Sequence, residues 1–139
     1  MASQPPRFLN VDLEVESRRN PEPLVAALGS STVVLASFRR RGYHVVTFEL
    51  AGSPKSAAAA MRSFVKLVRR LPPAARSIWR ASRRLDFDAG FELPAGRQVV
   101  ALRVPPEVAQ QVAAVGGRIV FTLYPPRRAR RLGSKSGPK

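Results

Sequence analysis

Residues 8–17 alternate apolar and polar side chains, and this pattern limits the fold more than any other feature of the chain. Successive side chains of a strand point to opposite faces, so a period of two predicts a strand with one buried and one solvated face. Residues 86–93 show the same alternation. Sheets with one solvated face are typically antiparallel. The apolar positions of the first segment are Leu9, Val11, Leu13 and Val15, and the polar ones are Asn10, Asp12, Glu14 and Glu16.

Two further strands and a short helix are predicted before residue 53. Asn20-Pro21-Glu22 is typical of a helix start and Gly29 of its end, which predicts a helix through Leu28. Residues 33–39 and 43–50 are rich in β-branched and aromatic side chains, and Arg40-Arg41-Gly42 lies between them. Glycine permits the positive φ of a tight turn, so we expect these two runs to form an antiparallel hairpin.

Two basic helices are predicted in the middle of the chain. Ser53-Pro54 predicts the start of a helix that runs to Leu71, and Pro73 predicts the start of another that runs from residue 74 to about Leu85. In both segments the apolar residues recur at helical spacing, and the cations fall on an arc opposite or beside them. Each helix is therefore expected to show a cationic outer face.

The C-terminal part returns to strands and ends in a basic tail. Residues 86–93 and 100–104, separated by Pro94-Ala95-Gly96, predict a second hairpin. Pro106 predicts the start of a short helix that Gly116-Gly117 ends, and residues 118–124 predict the last strand. Residues 127–139 have little to bury and are expected to be disordered unless bound.

The resulting order is β-α-β-β-α-α-β-β-α-β. This order predicts an α+β fold, with a mixed, mostly antiparallel sheet of about six strands and helices on one face. Residues 1–126 are expected to form a single domain, with 127–139 as its tail. The segment 106–124, in which a helix, Gly116-Gly117 and a strand ending at Tyr124 follow one another, resembles the end of an uncharacterised bacterial family of small α+β domains. Because that family has no established activity, the resemblance implies a fold and no chemistry.

The positive charge of the chain is concentrated in two segments. The chain has 24 Lys and Arg against 9 Asp and Glu, a formal charge of +15. Residues 53–85 and 127–139 contain no acid, and their cations account for the whole surplus. Repeated cations at helical spacing are suited to phosphates. The predicted binding residues are Lys55, Arg62, Lys66, Arg69, Arg70, Arg76, Arg80, Arg83, Arg84, Arg127, Arg128, Arg130 and Arg131.

No catalytic residue, metal site or cofactor is predicted. The chain has no cysteine and His44 is its only histidine, so the usual zinc ligand sets are unavailable, and His44 is interpreted as a residue at the edge of the core. No phosphate-binding glycine loop is present. Trp79 is interpreted as a core residue, with stacking on a base as the alternative. Carboxylates such as Asp12, Asp86 and Asp88 are interpreted as a solvated face, and an acidic hydrolytic site is the alternative if their strands are neighbours.

The first functional hypothesis is a non-enzymatic module that binds nucleic acid or nucleoprotein, largely without sequence preference, through the basic helix faces. The alternative is a protein-interaction domain, immunity- or adaptor-like, whose arginines bind an acidic protein. A hydrolytic enzyme is a third hypothesis. The chain has no apolar run of 18 residues and no signal-peptide pattern, so we expect a cytoplasmic protein without a transmembrane segment. Pairing of two copies through a sheet edge is left open.

Overall fold

The computed structural model describes residues 4–96 and 99–127, and it confirms the α+β class. No helix in these two ranges is long and apolar enough to cross a membrane. A single turn of 3-10 helix, Gly29–Ser31, links α1 to β2. The elements in chain order are β1 (Arg7–Ser17), α1 (Glu22–Leu28), β2 (Thr32–Arg40), β3 (Tyr43–Leu50), α2 (Ala57–Arg69), α3 (Pro73–Ala81), β4 (Arg84–Glu92), α4 (Pro106–Ala114) and β5 (Arg118–Tyr124).

The strands form one five-stranded sheet in the order β2-β3-β1-β4-β5. Three of the pairings are antiparallel, and β4 pairs with β5 in parallel. Parallel neighbours need a crossover connection, and α4 supplies it between β4 and β5. The prediction of a mixed, mostly antiparallel sheet is therefore confirmed. At the β2–β3 turn Arg41 and Gly42 both have positive φ, 51° and 84°, as a two-residue type I′ hairpin requires.

The predicted second hairpin is wrong, and the sheet has one strand fewer than expected. Residues 99–105 belong to no strand, and residues 97–98 of the proposed turn region lie outside the described residues. The edge of β4 that a hairpin partner would occupy is taken by β5, whose register runs from Asp86 opposite Arg118 to Glu92 opposite Tyr124. Val104 instead packs against the core from an irregular segment. The alternation of apolar and polar residues does not by itself predict which of two segments pairs with a given strand.

The helices pack on one face of the sheet, where the core lies. Helices α2 and α3 contact β1 at the centre of the sheet, α1 packs on α3, and α4 packs on α2 and β5. Leu13 and Phe87, which are opposite each other in register, are fully buried beneath these helices. The rings of Phe64 and Trp79 meet Phe87 edge-on, with centroids 6.1 and 6.5 Å away.

The other side of the sheet carries most of the acids, and we call it the open sheet face. Its residues alternate with the core residues along each strand, as the sequence pattern predicts. Seven of the nine acidic residues of the chain lie on it, on β1, β3 and β4. The acids of the domain are therefore concentrated on one of its two sides. These acids are Asp12, Glu14, Glu16, Glu49, Asp86, Asp88 and Glu92.

Both basic helices are shorter than the sequence predicts. The hydroxyl of Ser56 accepts a hydrogen bond from the Ala59 N–H at 3.1 Å, so Ser56 caps α2 and Lys55 precedes the helix. Helix α3 ends at Ala81 because the Arg83 N–H donates to the Glu16 carbonyl at 2.8 Å, which draws the chain into the sheet. The sequence predicted Arg83 and Arg84 on the outer face of α3. That prediction is wrong, because both residues lie beyond the end of the helix.

Candidate anion-binding surface

The structure divides the predicted binding residues among three places. Those on the helix side are Lys55, Arg62, Lys66, Arg69, Arg70, Arg76 and Arg80. Arg83 and Arg84 lie at the open sheet face, among its acids. Arg127 lies beside Glu92, to whose carboxylate its N–H donates at 3.1 Å. Arg128, Arg130 and Arg131 lie outside the described residues.

Five cations, four within α2 and α3 and one directly after α2, form a surface that we call the helix cation patch. All five are exposed, and none of them makes an ion pair with another residue of the ranges 4–96 and 99–127. Residues three or four apart on a helix are neighbours, so the positive charges stand close together. The free energy of this repulsion falls when an anion binds. The patch consists of Lys66, Arg69, Arg70, Arg76 and Arg80.

Arg62 and Lys55 contribute less to this surface. The guanidinium of Arg62 pairs with the carboxylate of Glu107 on α4, and the two side chains are 42% and 63% exposed. An ion pair so open to water is weak, so it restrains Arg62 without burying its charge. Lys55 is exposed in the loop before α2 and makes no ion pair with the described residues.

A groove of about 560 Å³ lies within the patch, between the end of α2, helix α3 and the end of α4. Arg69, Arg76 and Arg80 line it, and its remaining lining is largely apolar. This volume falls in the range of sites that hold small ligands or single side chains of a partner. Its apolar and small lining residues are Val68, Trp79, Leu85, Ala114, Val115 and Gly116.

The position of Arg76 is fixed by the backbone at the end of α2. Its Nη2 donates to the carbonyl oxygen of Leu71, two residues after the end of α2, at 2.9 Å. Arg19 reaches α3 from the other side, and its Nη1 donates to the Ser77 hydroxyl at 2.7 Å. Arg19, Arg76 and Arg80 line a second hollow beside the groove. Arg19 was missed from the sequence because it lies outside the two acid-free segments.

Trp79 is a core residue and its ring is not available for stacking on a base. Its side chain is 3% exposed, and its indole N–H donates to the Val115 carbonyl at 2.8 Å. A buried indole with its hydrogen bond satisfied is stable packing. Trp79 therefore supports the groove from below.

Arg83 and Arg84 are held by a buried carboxylate on the open sheet face. Glu16 is 2% exposed, and its oxygens lie 3.1 Å from Arg40, 3.1 Å from Arg83 and 3.5 Å from Arg84. Burial would raise the pKa of Glu16, but the hydrogen bond from Arg40 and the charges of Arg84 and Arg83 outweigh burial and lower it. Arg83 and Arg84 thus have an acidic partner within the chain, which makes them weaker candidates for binding an anion than the exposed cations on α2 and α3.

Arg84 and Asp86 extend this network towards β5. Arg84 also pairs with Glu14 at 2.6 Å and with Asp86 at 3.1 Å. Arg118 donates two parallel hydrogen bonds to Asp86, at 2.9 and 3.0 Å. Such bidentate pairs are geometrically specific. Asp86, a candidate for hydrolytic chemistry in the sequence, is therefore bound between two arginines.

The strands β1 and β4 are neighbours, which was the condition for an acidic hydrolytic site. Asp12 lies opposite both Asp88 and Glu49. Asn10 donates to Asp12 at 3.2 Å and to Glu49 at 3.3 Å, and the Thr122 hydroxyl donates to Asp88 at 2.6 Å. Burial first, and then the charges of Glu49, Asp88 and Glu14, raise the pKa of Asp12 to about 6.

These carboxylates are not arranged as a metal site. Within residues 4–96 and 99–127, no group of three or more His, Cys, Asp or Glu side chains is placed to hold a metal ion. His44 is half-buried on β3, opposite Ser17 and Arg39 rather than a carboxylate. Hydrolytic activity stays a prediction of the sequence.

No protein-family model, curated protein or solved structure matches this chain. The resemblance of residues 106–124 to an uncharacterised bacterial family therefore stays a prediction.

Proposed function

We propose that this protein is a binding module for a polyanion, with nucleic acid as the first candidate, and that it binds through the helix cation patch. The observation that carries the proposal is that five neighbouring cations on α2 and α3 have no acidic partner among the described residues, whereas the arginines of the open sheet face do. Phosphate oxygens would supply the missing acceptors. Backbone contacts of this kind position a nucleic acid without reading its sequence.

The distribution of charge supports one orientation of the partner. Seven of nine acids lie on the open sheet face, and the patch lies on the helices packed against the opposite side. A polyanion approaching the domain is attracted by the helix side and repelled by Asp12, Glu49 and Asp88 on the other. The cations at 127–139 add further positive charge to the chain.

The test is a salt titration of binding to nucleic acid of random sequence, single-stranded and double-stranded, by fluorescence anisotropy. Full-length protein is compared with a double variant, Arg69→Gln with Arg80→Gln. Each lost phosphate contact lowers the log–log salt slope by about 0.9 on duplex DNA, so we expect the slope to fall by roughly 2. Both side chains are exposed and make no ion pair with described residues, so their removal should leave folding intact.

The control removes the same charge from elsewhere, with Arg39→Gln and Arg103→Gln. These residues are exposed, lie outside the patch and make no ion pair with the described residues. We expect the control to keep the slope of the parent protein, because its two residues lie outside the patch. An effect of net charge alone would instead lower the slope of both double variants equally. Equal slopes for the two double variants would place the contacts elsewhere, and no binding at about 0.1 M salt would reject nucleic acid as the partner.

An acidic protein is the second candidate, and the groove favours it. Arg69, Arg76 and Arg80 surround an apolar floor, and a protein segment that carries both carboxylates and an apolar side chain would satisfy both parts. Nucleic acid needs the cations but not the floor. Val115→Ala enlarges the groove. Unchanged binding of nucleic acid by this variant would show that nucleic acid does not contact the apolar lining of the groove. A concurrent loss of binding to an acidic, leucine-containing peptide would favour the protein partner.

A further inference from the structure

Strand β2 exposes an unusual number of large apolar side chains. Eight large hydrophobic side chains are exposed among the described residues, and four of them are on this one strand. Val33 is 52% exposed, Val34 40%, Leu35 49% and Phe38 45%. Val33 and Phe38 lie on the open sheet face and Val34 on the helix side, and this concentration of exposed apolar side chains along one edge strand favours an interaction at that edge.

The exposure arises because β2 is an edge strand that the helices do not cover. Val34 is opposite Phe48 on β3 and faces the helix side with it, yet Phe48 is fully buried and Val34 is not. The helix layer therefore ends above β3. No strand of residues 4–96 and 99–127 neighbours the outer backbone edge of β2. Residues 32–38 contain no charge and no proline that would block such an edge, and the register of β2 on β3 shifts once, between Val34 and Ala36.

We propose that β2 pairs antiparallel with β2 of a second copy of this chain, which joins the two sheets into one of ten strands. Antiparallel pairing of a strand with its own copy is isologous and is generated by a two-fold axis. The free N–H and C=O groups of both edges would be satisfied, and the exposed apolar side chains would be shared between the copies.

The distribution of charge around β2 is compatible with such a pair despite the net charge of +15. The cations Arg39, Arg40 and Arg41 all lie at one end of the strand. Antiparallel pairing separates the two clusters by roughly 26 Å, at about 3.3 Å per residue, which exceeds the Debye length of about 8 Å in physiological salt. Each cluster instead approaches the start of the partner's strand, where Gly29–Ser31 follows the C-terminal end of α1. That end of a helix favours cations.

The other edge of the sheet lacks this complementarity. Strand β5 exposes Phe121 and Leu123, but it is shorter and is followed by Pro125 and Pro126, which have no N–H to donate. Self-pairing of β5 would also place Arg118 near Arg127 of the partner subunit, so that like charges would meet at both ends. Substitutions on β2 and on β5 are therefore expected to affect self-association differently.

The test is sedimentation velocity of the nuclease-treated, full-length protein from about 1 to 100 µM, with one matched pair of variants. Leu35→Lys and Leu123→Lys place the same charge at side chains that are 49% and 46% exposed, on opposite edges. We expect a dimer that Leu35→Lys weakens at least 10-fold and Leu123→Lys leaves unchanged. Because the pair is held by backbone and apolar contacts between like-charged copies, we also expect it to persist at 0.5 M salt, where bridging by a polyanion would be lost.

Three outcomes would overturn the proposal. A parent protein that is monomeric at 100 µM has no such interface, and a dimer that only Leu123→Lys dissociates uses β5. A dimer that neither variant affects uses another surface. Hydrogen exchange of the parent protein gives a second measurement that needs no variant. The amides of residues 32–40 should become more protected as protein concentration rises, and unchanged protection in a dimer would also reject pairing through β2.

Discussion

Replacing Glu16 by glutamine should destabilise the protein in a way that depends on pH. The side chain is 2% exposed and lies within 3.5 Å of the guanidinium groups of Arg40, Arg83 and Arg84. Glutamine keeps the volume but removes the charge, and its amide N–H₂ faces a group that also donates. Breaking a buried pair costs about 3–5 kcal/mol. Arg40 and Arg83 are half-exposed and can be rehydrated, so we expect a loss of about 2–3 kcal/mol.

The pH dependence follows from the lowered pKa of Glu16. Its charge stabilises the fold above the ordinary glutamate pKa of about 4.3, and this contribution is lost as pH falls through the lowered value in the folded protein. The difference between parent and variant in the free energy of urea unfolding should therefore be full at pH 7 and should shrink as pH falls below about 4.

Glu107→Gln is the matched control. Glu107 also pairs with an arginine, Arg62, but it is 63% exposed, and exposed pairs contribute about 0–1 kcal/mol. A loss from Glu16→Gln no larger than that from Glu107→Gln would refute the argument that the network is buried and neutralised. A difference from the parent protein that stays constant between pH 7 and pH 3 would show that the effect comes from packing and not from charge.

Two further variants test the sheet. Asp12→Asn should stabilise the protein at pH 7 by about 1 kcal/mol, allowing for solvent screening, because the raised pKa of about 6 means that ionised Asp12 opposes folding. The gain in urea unfolding should vanish below about pH 4, where Asp12 is protonated in both states. Gly117→Ala should cost about 1–3 kcal/mol, because a Cβ there would lie 2.5 Å from the Phe87 ring. Gly52→Ala, which meets no atom within 4 Å, is its control, and equal stability of the two would contradict the close packing.

Local sequence patterns predicted the elements whose structure depends on local interactions. The alternation on β1, the turn at Arg41-Gly42 and the end of α1 at Gly29 are all confirmed. Each depends on a side-chain period or a backbone φ that neighbouring residues determine. The side that carries the acids followed from the same alternation, so the open sheet face was also predictable.

The assignment of the basic residues needed the tertiary structure. Arg83 and Arg84 continue the helical spacing of α3, but a hydrogen bond to Glu16, 67 positions earlier in the chain, starts β4 and places them among acids. No local pattern contains that contact. The helix cation patch contains the cations that form no such long-range ion pair. Identifying them requires the distances between cationic and acidic side chains in the folded chain.

The sequence by itself determined the fold class, the alternation of faces and the concentration of charge in two acid-free segments. The tertiary structure alone decided that β5 pairs in parallel beside β4, that residues 99–105 form no strand, and which cations remain without an acidic partner among the described residues. The physical reason is that a period or a cap is fixed within a few residues. Competition for a sheet edge or for a buried carboxylate is settled between segments far apart in the chain.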